Sequence, residues 1–230
     1  IGPVSYRQLI ARFGHAEAAL AAIPDLARRG GGKAPAICPE AVAQAELAKV
    51  EALGARYLVL GQGLYPRALA EIDDAPPLVV AKGDLQLLDR PMVAYDLGQE
   101  GAVVVSGLAR GIDTAAHVGA YETGTIGVIA GGIDIFYPPE NETRQRQLFE
   151  RDLVLAEMPP GTEPRARHFP YRNRIIAGLS AGTVVVEAAP RSGSLITARL
   201  AAEMGREVMA VPGSPLDPRA QGCNGLIRDG

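Results

Sequence analysis

Tryptophan is absent from the 230 residues, and aromatic residues as a whole reach only 5%. The core must therefore be built from Ala, Val, Leu and Ile, and a hydrophobic content of 47% is ample for that. Cysteine is nearly as scarce. Cys38 and Cys223 stand far apart and neither has a CxxC partner, which argues against a disulfide framework or a zinc site and fits a reducing cytoplasm. No uninterrupted apolar run approaches the ~20 residues of a membrane span. Ile1-Gly-Pro-Val-Ser5 also lacks the basic n-region of a signal peptide. A soluble, cytoplasmic protein is expected. Positive charge is in deficit as well, at a formal net −3.

Against that deficit one stretch stands out. Arg165-Ala-Arg167-His168-Phe169-Pro-Tyr171-Arg172-Asn173-Arg174-Ile-Ile176 places four arginines, a histidine and two aromatic rings within ten residues. Cationic charge gathered against the global sign points to an anion site. Guanidinium groups interleaved with rings suit single-stranded nucleic acid, because phosphates attract Arg and unstacked bases need a π-face. The competing reading is an amphipathic helix start whose arginines pair with local carboxylates.

With 27 Gly and 18 Pro, short elements joined by tight turns are expected. Residues 1 to about 54 read as helical. Ser5 is placed as the cap of a helix carrying Leu9, Ile10 and Phe13 and stopped by Gly14. Ala-rich pieces follow at Ala16–Ala22 and Leu26, then a longer helix from Pro39 to Leu53 stopped by Gly54. Small helices of this kind suit a helix-hairpin-helix or SAM-like module, or a cap that only packs on the main domain. From residue 55 to 230 the pattern changes. Strands are predicted at Tyr57–Leu60, Leu78–Ala81, Ala102–Val105, Ile126–Ala130, Leu153–Ala156, Thr183–Glu187 and Glu207–Val211. Helices are predicted at Asp113–Thr123, Glu140–Arg151, Tyr171–Leu179 and Ser194–Met204. Continuously apolar strands separated by Gly loops and helices predict a doubly wound, mostly parallel α/β sheet covered on both faces.

One join departs from this grammar. Met92-Val93-Ala94 reads as the start of a core strand, whereas Tyr95–Gly101 reads as the end of a helix feeding the next strand. A crossover between parallel strands needs about a dozen residues. About one loop and most of one helix are therefore expected to be missing near Ala94. The C-terminus, Leu226–Gly230, likewise reads as a phrase cut short.

Several loops could hold a ligand. Ser106-Gly107-Leu-Ala-Arg110-Gly111-Ile-Asp113 follows an apolar strand and opens a helix. Its glycines permit close backbone approach, its amides favour phosphate, and Arg110 adds charge. It is neither a dinucleotide fingerprint nor a Walker A loop, and the alternative is a structural turn capped by Asp113. Ser192-Gly193-Ser194 repeats the arrangement, as a second phosphate nest or as a plain Ser cap. Gly131–Asn141 follows another strand, at the end of the sheet where open α/β folds bind ligands. Asp113, Asp134, Glu157 and Glu187 are the carboxylates near strand ends. His15, His117 and His168 show no metal-ligand spacing and no Ser-His-Asp arrangement is legible, so neither a catalytic nor a metal site is assigned, and His117 reads as a packed histidine.

Taken together these phrases resemble the DNA-processing protein A family, also called Smf. The matching stretches are Ser106–His117 (SGLARGIDTAAH), Gly124–Asn141 (GTIGVIAGGIDIFYPPEN), Phe169–Ser180 (FPYRNRIIAGLS), Val186–Arg199 (VEAAPRSGSLITAR), Val211-Pro-Gly213 and Gly222–Gly230 (GCNGLIRDG). The resemblance implies an extended Rossmann domain behind a small all-α SAM-like domain. It implies a homodimeric single-stranded-DNA-binding protein of competence and natural transformation that protects incoming DNA and loads the RecA recombinase, with no cofactor and no chemical reaction. Carried over by position, the DNA and phosphate contacts would be Ser106, Gly107, Arg110, Phe169, Arg172, Asn173, Arg174, Ser192, Gly193 and Ser194. A family Gly-Ser-Arg loop would fall in the missing stretch after Ala94, and the winged-helix-like module of many members would lie beyond Gly230.

A second class is a nucleotide-hydrolysing Rossmann enzyme similar to the lysine-decarboxylase-like phosphoribohydrolases. Pro160-Gly161-Thr162-Glu163 is only a fragment of their signature.

Overall fold

The structure, a computed structural model, describes residues 2–31, 33, 35–94 and 101–230. Its centre is a sheet of eight strands: β1 (Arg56–Val59), β2 (Leu78–Gly83), β3 (Met92–Ala94), β4 (Val103–Ser106), β5 (Thr125–Gly132), β6 (Leu153–Met158), β7 (Gly182–Val185) and β8 (Glu207–Ala210). They lie in the order β1-β2-β6-β5-β4-β3-β7-β8. The pairings from β6 through β8 are parallel, and β1 and β2 close one edge antiparallel. The mostly parallel doubly wound sheet expected from the sequence is the fold observed.

Alternation along each strand separates two layers of core. Val103, Val105, Ile126, Val128, Leu153 and Leu155 pack on one face with Ile175, Ile176 and Leu179 of α7 (His168–Leu179). Val80, Val154, Ala156 and Ile129 pack on the other with Leu148 of α6 (Glu142–Arg151) and Val50 of the N-terminal helices. Val104 meets Ala116 and Ala120 at α5 (Ile112–Gly119). Burial of each such side chain contributes about 1.5–3 kcal/mol, so aliphatic packing suffices without tryptophan.

Three helices precede the sheet: α1 (Pro3–Phe13), α2 (Ala16–Arg29) and α3 (Glu40–Ala52). Here two expectations are corrected. Gly2, not Ser5, occupies the N-cap of α1, with Pro3 opening the helix, where a missing amide hydrogen is tolerated. The pieces around Ala16–Ala22 and Leu26 form one helix that continues through Pro24. Arg7 reaches across to the carbonyl of Ala70 at 2.7 Å in the short α4 (Arg67–Ala70), tying α1 to the sheet region. Farther along, α7 begins at His168 rather than Tyr171, because Pro170 lies in its first turn, where no amide donor is needed. Helix α8 (Gly193–Glu203) lies where expected, and α9 (Gln221–Asp229) is an additional helix over the last family phrase.

Strand β3 is flanked by β4 on one side and β7 on the other, so connections run outward from it in opposite directions. This is a topological switch point, where the carboxyl ends of strands diverge to leave a crevice. The pairing of Met92 with Val103 confirms that β3 and β4 are parallel neighbours. The missing loop and helix expected near Ala94 concern residues 95–100, which lie outside the described residues.

A buried polar chain links α5 to the sheet. Thr125 Oγ1 donates to the Val104 carbonyl at 2.8 Å, so at 2.7 Å it accepts from His117 Nδ1. The Thr125 amide donates to Asp152 at 3.0 Å. His117 is 2% exposed, and burial pushes its pKa down to about 4 despite the charge of Asp113. A histidine that is more acidic when folded must lose its proton to fold. Stability is therefore fully present above the unfolded value of about 6.5 and declines as pH falls toward 4, by about 3 kcal/mol in all. Urea titrations across pH 4–7 should show this loss, and His117→Gln should flatten it.

Candidate nucleic-acid interface

The loop leaving β4 is set by its own side chains. Leu108 takes a positive φ of 56° and buries its side chain completely, turning the chain back over the sheet. Asn141 Nδ2 donates to the Leu108 carbonyl at 2.7 Å, Asp113 accepts the Ala109 amide at 3.1 Å, and Thr114 Oγ1 donates to the Ala109 carbonyl at 3.0 Å. Asp113 thus holds this turn, as its capping role anticipated. Asn141, the last residue of the Gly131–Asn141 stretch, thus braces this loop rather than opening onto a ligand.

Next to this loop lie the start of α7 and the N-terminus of α8. Between them a groove of about 310 Å³ opens at the carboxyl ends of β4 and β7, lined by Ser106, Arg110, Phe169, Arg172, Asn173, Gly193 and Ser194. Seven of the residues singled out from sequence thus share one surface. Arg110 is largely exposed and held at 2.7 Å by Glu140, a solvent-facing pair that a stronger anion can replace. Asn173 leans toward the Gly193 carbonyl at 3.5 Å. Ser192 occupies the N-cap of α8 without making a cap bond, and its Oγ is buried with no partner among the described residues.

The arginines of the central motif divide. Arg165 and Arg167 are exposed, whereas Arg172 and Arg174 are 6% and 4% exposed. Arg174 points away from the groove into two carboxylates, Glu157 at 2.6 Å and Asp74 at 3.3 Å. Burial pushes the Glu157 carboxyl above the usual range, and Arg174 offsets this only in part. This is the local pairing that the competing reading of the motif described. Arg172 is different. Its Nη1 donates to the Val128 carbonyl at 3.0 Å, its Nε has no partner, and it makes no ion pair among the described residues. Its guanidinium lies where a Cβ on Gly107 would stand, which is why the loop needs glycine there. A desolvated cation that makes no ion pair among the described residues, its charge opposed only in part by the nearby Asp113 carboxylate, thus lines the groove.

Chain-wide comparison identifies the family. A family model described as DNA recombination-mediator protein A matches residues 92–230. A second, described as a DprA-like N-terminal HHH domain, matches residues 1–48. The chain belongs to the DNA-processing protein A family. It is 48% identical over 186 residues to DNA processing protein DprA of Streptococcus pneumoniae, covering 72% of this chain and 66% of that protein. With the Bacillus subtilis DprA it shares 42% over 206 residues, covering 80% and 69%. The chain therefore spans about two thirds of the length of these curated relatives. The X-ray structure of the S. pneumoniae protein superposes with a TM-score of 0.76 at 42% identity, covering 84% of this chain and 74% of that one. DNA processing protein A from Helicobacter pylori, a protein described for its single-stranded-DNA binding mode, superposes with a TM-score of 0.67 at 27% identity, covering 75% and 87%.

The Pro160–Glu163 fragment is a structural crossing. The Gly161 amide donates to Asp134 and the Thr162 carbonyl accepts the Gly132 amide. Ile129, Ile135 and Pro164, which line a second cavity beside the groove, went unnoticed in the sequence because apolar side chains carry no motif signal. The division of the arginines gives a sharp test. Arg174→Ala leaves Glu157 without its buried partner and should cost about 3 kcal/mol. Arg172→Met keeps volume and removes an unneutralised charge, so its stability should stay within about 1 kcal/mol of wild type. Chemical denaturation of both variants measures the contrast.

Proposed function

We propose that this protein binds single-stranded DNA in the groove at the β3/β7 switch point, with phosphates over Arg172 and bases toward Phe169. The observation that carries the proposal is the buried, unpaired guanidinium of Arg172 beneath that groove. An unneutralised buried charge is unfavourable unless a counter-ion completes it, and a backbone phosphate is that counter-ion. The N-terminus of α8 at Gly193 and Ser194 adds amide donors and the positive end of a helix dipole. Arg110 exchanges Glu140 for a phosphate oxygen, and the half-buried Phe169 offers a ring to an unstacked base. Ser106 and Asn173 line the groove around them, Gly107 makes room for the Arg172 guanidinium, and Ser192 stands at the N-cap of the helix whose N-terminus faces the groove. Arg174 acts in this scheme by anchoring α7, not by touching DNA.

In the wider role we assign it, the chain is a homodimeric, cytoplasmic protein of competence and natural transformation. It shields incoming single strands and loads the RecA recombinase onto them. The recombination-mediator description of the matched family supports that assignment. Residues 1–54 form the helix-hairpin-helix unit and 55–230 the DNA-binding unit, a division supported by the separate match over 1–48. The binding role requires no catalytic step.

Fluorescence anisotropy of labelled single-stranded and duplex oligonucleotides over a salt series tests the reading. Single strands should bind with log affinity falling about 0.7 per neutralised phosphate against log salt. Arg172→Met and Arg110→Ala should weaken every sequence alike and make that slope shallower. A folded Arg172→Met that binds strands as tightly as wild type would remove Arg172 from the interface.

A further inference from the structure

Carboxylates as well as cations surround the groove. Asp113 and Glu187 line it together with Arg110 and Arg172. Asp113 accepts the Ala109 amide and opposes part of the Arg172 charge. The others stand at the rim. Glu140, which follows Pro138-Pro139 in the loop after β5, reaches Arg110 of the loop after β4 at 2.7 Å, and both side chains are exposed. Its own backbone amide and Arg110 hold the Glu140 carboxyl below the usual range, so it is ionised at neutral pH. Across the groove, Glu187 lies just beyond β7 and faces Arg219 at 3.7 Å, while Arg219 is itself held by Asp217 at 2.8 Å. The Arg219 carbonyl accepts the Ala188 amide at 2.7 Å, which fixes that arginine beside the end of β7. The two rim clusters thus set three carboxylates, Glu140, Glu187 and Asp217, against two arginines, Arg110 and Arg219. Below them Arg172 is buried and makes no ion pair among the described residues. Charge changes sign with depth, acidic at the mouth and cationic beneath it.

We propose that Glu140 and Glu187 set the strand specificity of the groove, by repelling the phosphates of a duplex that cannot pass between them. The inference rests on the single-strand-binding reading above. An acidic mouth weakens every contact that a polyanion makes at the surface, so it serves only a ligand that reaches deeper. A duplex carries one charge per ~1.7 Å along a stiff axis. Its phosphates stop at the rim, beside three carboxylates and two arginines that are already paired. At contact distance this repulsion acts well inside a Debye length of ~8–10 Å, so physiological salt does not remove it. A single strand meets the same rim, but one of its phosphates descends to Arg172, and that contact offsets the repulsion. Specificity then comes from what is set against the wrong ligand as much as from what attracts the right one. Neither rim carboxylate pairs with Arg172, so neutralising them leaves the buried contact in place.

The test compares single-stranded and duplex oligonucleotides of one sequence on wild type, on Glu140→Gln with Glu187→Gln, and on a control, Glu122→Gln with Glu150→Gln. The control removes the same charge from exposed positions that precede β5 and β6, at the opposite end of the sheet from the groove. The rim variant should bind duplex about tenfold more tightly and single strands only about twofold, so that the preference for single strands falls about fivefold. Its salt slope on duplex should steepen by about 0.9 for each phosphate that Arg110 or Arg219 newly contacts. The control should keep the wild-type preference. An unchanged preference in the rim variant, with single strands still bound, would overturn the rim assignment and leave the groove standing. An equal fall in the control would trace selectivity to net charge and overturn it as well. Equal wild-type affinity for both ligands would do the same without any variant, so the question is decided even if the rim variant fails to fold. Failure of wild type to bind any strand at low salt would overturn both readings.

Discussion

The packing of the Arg172 guanidinium against Gly107 is the constraint on which the rest of the site depends. It places a full positive charge beneath the strand ends, bonded to the Val128 carbonyl and screened from water. Everything nearby accommodates it. Gly107 has no side chain because the guanidinium occupies that space. Leu108 turns back at positive φ and buries its side chain under the sheet, where Gly127 makes room for it. Asn141, Asp113 and Thr114 then satisfy the backbone groups that this turn would otherwise leave unpaired. Two family phrases, Ser106–His117 and Gly124–Asn141, thus form one mechanical unit.

The same helix shows how neighbouring residues of one type acquire unrelated roles. Residues 172 and 174 lie about 200° apart around α7. One faces the switch-point crevice and the other faces the acidic side formed by Glu157 and Asp74. Local carboxylates neutralise the second and convert it to an anchor. No described carboxylate pairs with the first, so its field remains available to a ligand. Charge counting along a sequence cannot separate these cases, because the distinction is made by a turn brought in at 74 and a strand brought in at 157.

Legibility in the sequence followed the same division. Apolar runs such as Val103–Val105 and Leu153–Ala156 revealed the parallel sheet, since strands buried on both faces need no polar alternation. The Gly loops after β4 and before α8 were legible because close backbone approach leaves a glycine signature. Boundaries at prolines were not: the pieces at Ala16–Ala22 and Leu26 are one helix running through Pro24, and α7 begins at His168, ahead of Pro170, rather than at Tyr171. Nor was the second cavity visible. Ile129, Ile135 and Pro164 come from three places in the chain and resemble ordinary core until the loops after β5 and β6 cross.

That crossing bears on strand selectivity. The chain carries a net −3, so long-range attraction gives any polyanion little advantage, and discrimination must come at contact distance. The exposed side of the groove offers Arg110, itself already shared with Glu140, while the stronger charge of Arg172 lies at the bottom. A duplex presents its phosphates on a stiff, wide cylinder and keeps its bases stacked inside. In the proposed binding mode a single strand bends, bringing one phosphate down to the floor while a base turns aside toward Phe169. In that mode depth of charge, rather than amount of charge, would favour the flexible ligand over the rigid one.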